Sequence, residues 1–165
     1  MTGFAGKSVA IVGPGGERVR AVAVVFAESG ADLALGTQAR TDEFAMASIA
    51  NEVWVLGNEQ FLRVMDCDDD AEVEGFAEAT WGEFHGCDVL VAMVPNPESL
   101  VRGFAPRMRP DGVIVLVAAG DEETGALAAR QGRLAALAGG IRLEVAAMAL
   151  PGEEAAVLVA AAPQG

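Results

Sequence analysis

Residues 6–36 read GKSVAIVGPGGERVRAVAVVFAESGADLALG. They spell a strand, a glycine turn, a helix and a second strand. The run Ser8–Val12 is short and apolar and ends in Gly13 and Pro14. Between Arg18 and Ser29, Val19, Val22, Ala23 and Phe26 recur at the spacing of one helical face. Gly30 stops that helix, and Asp32–Leu35 is the next apolar run. A strand–helix–strand unit needs parallel strands, because the helix carries the chain back before the second strand starts. A glycine turn at a helix N-terminus presents backbone N–H groups to phosphate, so the stretch reads as a nucleotide-binding unit.

The same alternation continues to the end of the chain. Thr41 is placed to cap a helix, with Asp42 and Glu43 in its first turn, where the helix dipole favours acids. Ala45, Ile49, Val53 and Leu56 are expected on its buried face. Phe61–Met65 is a third strand, closed by Asp66, Asp68, Asp69 and Asp70. A helix to about Phe84 turns Val73, Phe76, Ala77 and Phe84 inward. Asp88–Val94 is a fourth strand, apolar nearly throughout, as a strand covered on both faces should be. Glu98–Met108 reads as a short helix, Val113–Ala118 as a fifth strand, Glu122–Ala138 as a helix and Ile141–Met148 as a sixth strand. Periodicity leaves 153–162 open between a helix and a seventh strand. Repeated β-α units without hairpin turns predict an α/β fold: a Rossmann-like, doubly wound parallel sheet with helices on both faces, in a single three-layer domain over 1–165.

The chain has 165 residues, 52% of them hydrophobic, and a mean hydropathy of +0.34. That richness predicts an oligomer interface. No apolar run approaches a membrane span, and no basic segment precedes an apolar one, so a cytoplasmic protein without membrane contact is expected. The net charge of −13 argues against nucleic acid, which needs a basic face. Cys67 and Cys87 fit no disulfide framework and, with His85, no metal-ligand spacing; buried free thiols and no metal are expected.

Seven pieces in order resemble the short-chain dehydrogenase/reductase family. Phe4-Ala5-Gly6-Lys7 is similar to its entry into strand one, and Val12-Gly13-Pro14-Gly15 to its TGxG opening. Phe26–Asp32, FAESGAD, resembles the end of its first helix, and Asp66-Cys67-Asp68 its DVT after strand three. Asp88-Val89-Leu90-Val91 resembles the DVLVNNAG strand. Ala105–Met108 followed by Gly112–Val115 resembles the stretch before strand five, and Gly140–Leu143 with Pro151-Gly152 resembles GIRVNAVAPG. The resemblance implies a truncated and degenerate, pseudoenzyme-like member.

Against that family's TGxxxGxG turn, Glu17 and Val19 stand where two glycines belong. Only a bare backbone approaches a pyrophosphate closely. A carboxylate about 4 Å from a phosphate charge costs on the order of 4 kcal/mol at an effective dielectric near 20. A turn shifted onto Gly15 and Gly16, with Glu17 pointing outward, would escape that cost. The acid expected after strand two is missing from Leu35-Gly36-Thr37-Gln38, though Arg40 lies nearby. Asp66 matches the adenine-side position and could equally cap a helix. The NNAG segment is Ala92–Pro95, the serine falls near Ala119, and 124–130 contains neither Tyr nor Lys. The chain has no tyrosine at all, and tyrosine is the general acid of the family. The connections around strand five and the region after Gly152 are short for the family. No catalytic residue is assigned.

These readings favour a non-catalytic protein that works by association. It would be a structural or regulatory subunit beside an active, full-length dehydrogenase, or a homo-oligomeric scaffold. The family dimerises through the helices before and after strand five. That makes Leu100, Phe104, Leu127, Leu134 and Leu137 interface candidates, although the same stripe would serve to pack on the sheet. A second reading is a nucleotide sensor without redox activity, resting on Gly13, Gly15 and Asp66 as residual NAD(P) contacts; otherwise no cofactor is expected. A third is a lyase or dehalogenase-type enzyme drawing its acid and base from Asp66, Asp68, Glu98, Asp121, Glu122 or Glu123.

Overall fold

A computed structural model describes residues 3–163. Strands β1 (Ser8–Val12), β2 (Asp32–Thr37), β3 (Gln60–Val64), β4 (Val89–Ala92), β5 (Val113–Ala118) and β6 (Arg142–Ala147) form one parallel sheet in the order β3-β2-β1-β4-β5-β6. The order reverses between β1 and β4, which pair from Val9↔Val89 to Val12↔Ala92. Chain connections leave that point in opposite directions, opening a crevice at the strand C-ends.

Helices α1 (Glu17–Glu28), α2 (Glu43–Val55) and α6 (Ala155–Ala161) cover one face; α3 (Asp70–Phe84), α4 (Glu98–Phe104) and α5 (Asp121–Ala138) cover the other. Alternate residues of β1 feed the two cores. Val9 and Ile11 enter the first, Ala10 and Val12 the second, and all four are buried. Phe76 stacks edge-on against Phe104 at 5.5 Å in the second core, tying α3 to α4. At the strand N-ends the buried Asp88 accepts a hydrogen bond from Ser8 N at 2.9 Å and pairs with Arg109 Nε at 3.0 Å. That carboxylate fixes β4 against β1 where the sheet begins.

The strands and helices fall where hydrophobic periodicity puts them, with three differences and one open choice, the tail, decided. The chain enters α2 through a 3₁₀ turn, Arg40–Asp42, so Thr41 lies inside the turn and caps nothing. The buried face of α2 is Met46, Ile49, Ala50 and Val53, and Leu56, past the helix end, is exposed. The segment read as one helix over Glu98–Met108 is α4 plus a 3₁₀ turn, Ala105–Arg107, because Pro106 has no N–H to continue the α ladder. The tail is a helix, closed by Arg142, which donates to Ala160 O at 3.1 Å and Ala162 O at 2.7 Å.

Candidate functional site

The crevice at the C-ends of β1 and β4 is a cleft of about 290 Å³. Its floor is the turn Pro14–Val19, and Met93 and the loop Ala149–Pro151 form its walls. A ligand of drug size usually occupies a pocket of about 300–1,000 Å³, and a dinucleotide is larger than most such ligands.

The three glycines of the turn serve different ends. A side chain at Gly13 would meet Met93 Cβ and Val19 Cγ2, each at 3.0 Å. One at Gly15 would lie 2.8 Å from the Asp42 carbonyl oxygen and 3.1 Å from Ala45 Cβ. Both glycines are therefore needed by the chain's own packing. The entry to α2 rests on Gly15, and Val19 fills the space beneath Gly13. Gly16 alone faces open space, in an extended conformation. Two of the turn's three glycines are thus taken up by packing, and Gly16 alone stays open beside the cleft.

Glu17 is exposed and points along α1 to Arg20, 3.5 Å away. Arg20 in turn makes a two-point contact with Glu52, at 2.8 and 2.6 Å. That pairing partly offsets the Glu17 charge, although Glu17 still lines the cleft. Arg18 lines it beside Glu17, and its Nε is buried without a hydrogen-bond partner among the described residues.

At the end of β2, Thr37 is fully buried and its hydroxyl also has no partner among the described residues. No carboxylate is present there to hold a ribose. Arg40 is exposed and pairs with Glu43 at 3.6 Å. Asp66 does not line the cleft. It closes the loop after β3 by accepting from Asp68 N at 2.9 Å, and the cap of α3 expected of it falls to Asp69, which accepts from Ala71 N and Glu72 N. Of the three residual cofactor candidates, Gly13 and Gly15 lie in one turn and Asp66 lies apart.

The proton-transfer side is filled in a similar way. Arg130, on α5, pairs with Glu98, on α4, and donates to Pro95 O at 3.2 Å just beyond β4. This pair bridges two helices and a strand end. It was missed in the sequence because Glu98 and Arg130 are distant in the chain, and each alone reads as a surface charge. Glu98 is engaged by Arg130, and Asp121 and Glu122 are exposed on the first turn of α5. Among the described residues no group of three or more His, Cys, Asp or Glu could hold a metal ion. Both thiols are buried. Burial pushes Cys87 up to about 12 and Cys67 up to about 11, the latter helped by the carboxylates of Asp68, Asp66 and Glu72.

The interface candidates are corrected by their burial. Leu100, Phe104, Leu127 and Leu134 are at most 2% exposed and belong to the second core; Leu137 is half-buried against it. They face the sheet.

No protein-family model matches the chain, and no curated protein matches its sequence. Solved structures do. A short-chain dehydrogenase/reductase from Serratia marcescens shares 16% identity at a TM-score of 0.70, over 86% of this chain and 73% of that one. An NAD+-bound xylitol dehydrogenase shares 21% identity at a TM-score of 0.72, over 87% and 69%. A doubly substituted variant of a Serratia marcescens enzyme shares 18% at 0.61, over 70% of this chain. The chain spans only 56% of that variant's length. At these identities the likeness defines the fold: the chain has the short-chain dehydrogenase/reductase fold. Among the described residues no helix is long and apolar enough to cross a membrane.

Proposed function

We propose that this chain is a non-catalytic, acidic protein on the short-chain dehydrogenase/reductase fold that acts by association in the cytoplasm. Its partner is itself or a full-length dehydrogenase subunit. The observation that carries the reading is the packing of the glycine turn. Asp42, Ala45, Met93 and Val19 crowd the positions where side chains on Gly13 and Gly15 would stand, so both glycines serve the chain's own packing, and Glu17 and Val19 replace the other two glycines of the family's turn. The Arg130–Glu98 pair, and a chain without a single tyrosine, support the same reading on the chemical side. Calorimetric titration with NAD and NADP tests it. The expected result is no heat of binding at millimolar cofactor; submicromolar binding of either overturns the reading.

One observation favours a second reading, a nucleotide-binding sensor without redox activity. Arg18 lines the cleft at the N-terminus of α1 with its Nε unpartnered, a position from which a guanidinium would meet a phosphate. In that case Arg18→Ala removes whatever phosphate-dependent binding the titration finds.

A further inference from the structure

The outer face of α2 differs from the molecule around it. Its solvent-facing positions are Phe44, Ala47, Ser48, Asn51, Trp54 and Val55, and none is charged. The protein as a whole carries 24 acids and 11 bases. Phe44 is 84% exposed, Trp54 64% and Val55 70%. With Leu56 these are four of the seven large hydrophobic side chains that stand exposed among the described residues. Scattered single apolar residues are ordinary on a surface; a contiguous row is not.

The row has a shape. Phe44 projects at the N-terminal end of the helix. From its middle to its C-terminal end, Ala47, Ala50, Asn51 and Trp54, with Gln60 and Leu62, line a groove of about 490 Å³ between α2 and β3, an edge strand of the sheet. Projection and groove lie on one face, about two helical turns apart. A two-fold axis across the middle of the helix, near Ala47 and Ser48, sends each Phe44 into the other copy's groove. An isologous contact needs that self-complementarity.

We propose that this face docks a second copy of the chain through an antiparallel α2–α2 contact. The proposal rests on the reading above that the protein acts by association, and it names the occupant and the surface. Charge selects the occupant. Two bodies of net charge −13 repel wherever their acidic helices meet, and α2 lets them touch over an uncharged row whose flanking carboxylates, Glu43 and Glu52, are each paired with an arginine. A basic partner would instead be drawn to α3, whose outer face carries Asp70, Glu72, Glu74, Glu78 and Glu83. Area allows it. Phe and Trp each bury about 150–250 Å². With Val55, Leu56 and the small residues between them, roughly 500 Å² per copy is available, and about 1,000 Å² in total meets the lower bound of a biological contact, as for a weak, concentration-dependent dimer.

Light scattering of the full chain from low to high micromolar concentration tests the contact, with Phe44→Asp and Trp54→Asp beside the wild type. The wild type is expected to reach the mass of two chains. Each variant is expected to weaken association by at least about a hundredfold, because each copy then buries an unpaired carboxylate. Circular dichroism and melting at low concentration should be unchanged, since both residues are exposed. In a Trp81→Phe background the remaining tryptophan, Trp54, should shift its emission to the blue as concentration rises, and Phe44→Asp should abolish the shift. A wild type of one-chain mass at every concentration overturns self-docking and leaves association to a different subunit, which co-purification decides. A dimer that survives both variants but dissociates in Ala129→Glu, on the outside of α5, also overturns the α2 contact while leaving the association reading intact.

Discussion

Helices α2 and α5 lie on opposite faces of the same sheet and use their apolar residues in opposite ways. On α5 the large apolar residues turn inward: Leu127 and Leu134 are buried, and past the first turn the outer face is Gly125, Ala126, Ala128, Ala129, Gly132, Ala135 and Ala136 with the charged Arg133. On α2 the inner face is met by Met46, Ile49, Ala50 and Val53, and Phe44, Trp54 and Val55 are left over outside. A helix has only about a third of its circumference to bury, so apolar residues beyond that number are displayed. The leucines of α5 therefore belong to the core, and the aromatics of α2 are the surface that the proposed contact would cover.

The largest test of this contrast is Leu134→Ala. Leu134 is fully buried between α5 and the sheet. Truncation leaves a cavity and is expected to lower unfolding stability by about 2–5 kcal/mol in a urea titration. Oligomeric mass at native concentrations should not change in the fraction that stays folded. A variant of undiminished stability that loses its partner would return the interface to α5.

The next test concerns how α2 is anchored. Gly15→Ala places a methyl group 2.8 Å from the Asp42 carbonyl oxygen, at the entry to α2, and should cost about 1–3 kcal/mol through overpacking. Gly16→Ala meets nothing within 4 Å in an extended backbone and should be neutral to within about 0.5 kcal/mol. Thermal melts of the two variants separate a turn packed on its own chain from one held open for a ligand. Equal effects would mean that α2 does not rest on the turn.

The glycine turn also shows how far the sequence could be read. The parallel sheet was legible because its inner strands are apolar on both faces, and the helices because their inward residues recur every three or four positions. The phase of α2 was not. Its apolar residues surround the helix, so a count beginning at Ala45 reaches Leu56, while the fold begins one residue later at Met46. The cap of α3 was not legible either. Asp66, Asp68, Asp69 and Asp70 are all competent acceptors, and the length of β3 and its loop decides for Asp69. Glu17 was legible as a non-glycine, with an outward-pointing carboxylate as one alternative, but its ion pair was not, because its partner Arg20 is itself held by Glu52 of α2.

The two helical layers also differ in their response to alkali. Both thiols lie in the α3/α4/α5 core, and none lies in the α1/α2/α6 core. Burial pushes the Cys87 thiol of the folded chain up to about 12, from an ordinary value near 9. The folded state thus holds its proton after the unfolded chain has lost it. The stabilising contribution is complete below about pH 9 and is lost as pH rises from there toward 12. By pH 10 the loss from Cys87 is about 1 kcal/mol. Cys67 acts in the same direction over a window that closes near 11. Urea titrations at pH 8 and pH 10, repeated on Cys87→Ala, should show the decline reduced in the variant.

The smallest effect is expected at Phe44, and its smallness is informative. Phe44→Ala removes a large side chain that is 84% exposed and touches neither core. At a concentration where the chain is monomeric, stability should move by no more than about 0.5 kcal/mol, as for other surface substitutions away from caps and ion pairs. At high concentration the wild type should gain apparent stability from mass action, and Phe44→Ala should gain less. The difference between the two concentrations, not the stability at either one, reports the contact. A loss of about 2 kcal/mol at low concentration would place Phe44 in the core of the single chain. The aromatics of α2 would then be doing what the leucines of α5 do, and the contrast between the two helices would fail.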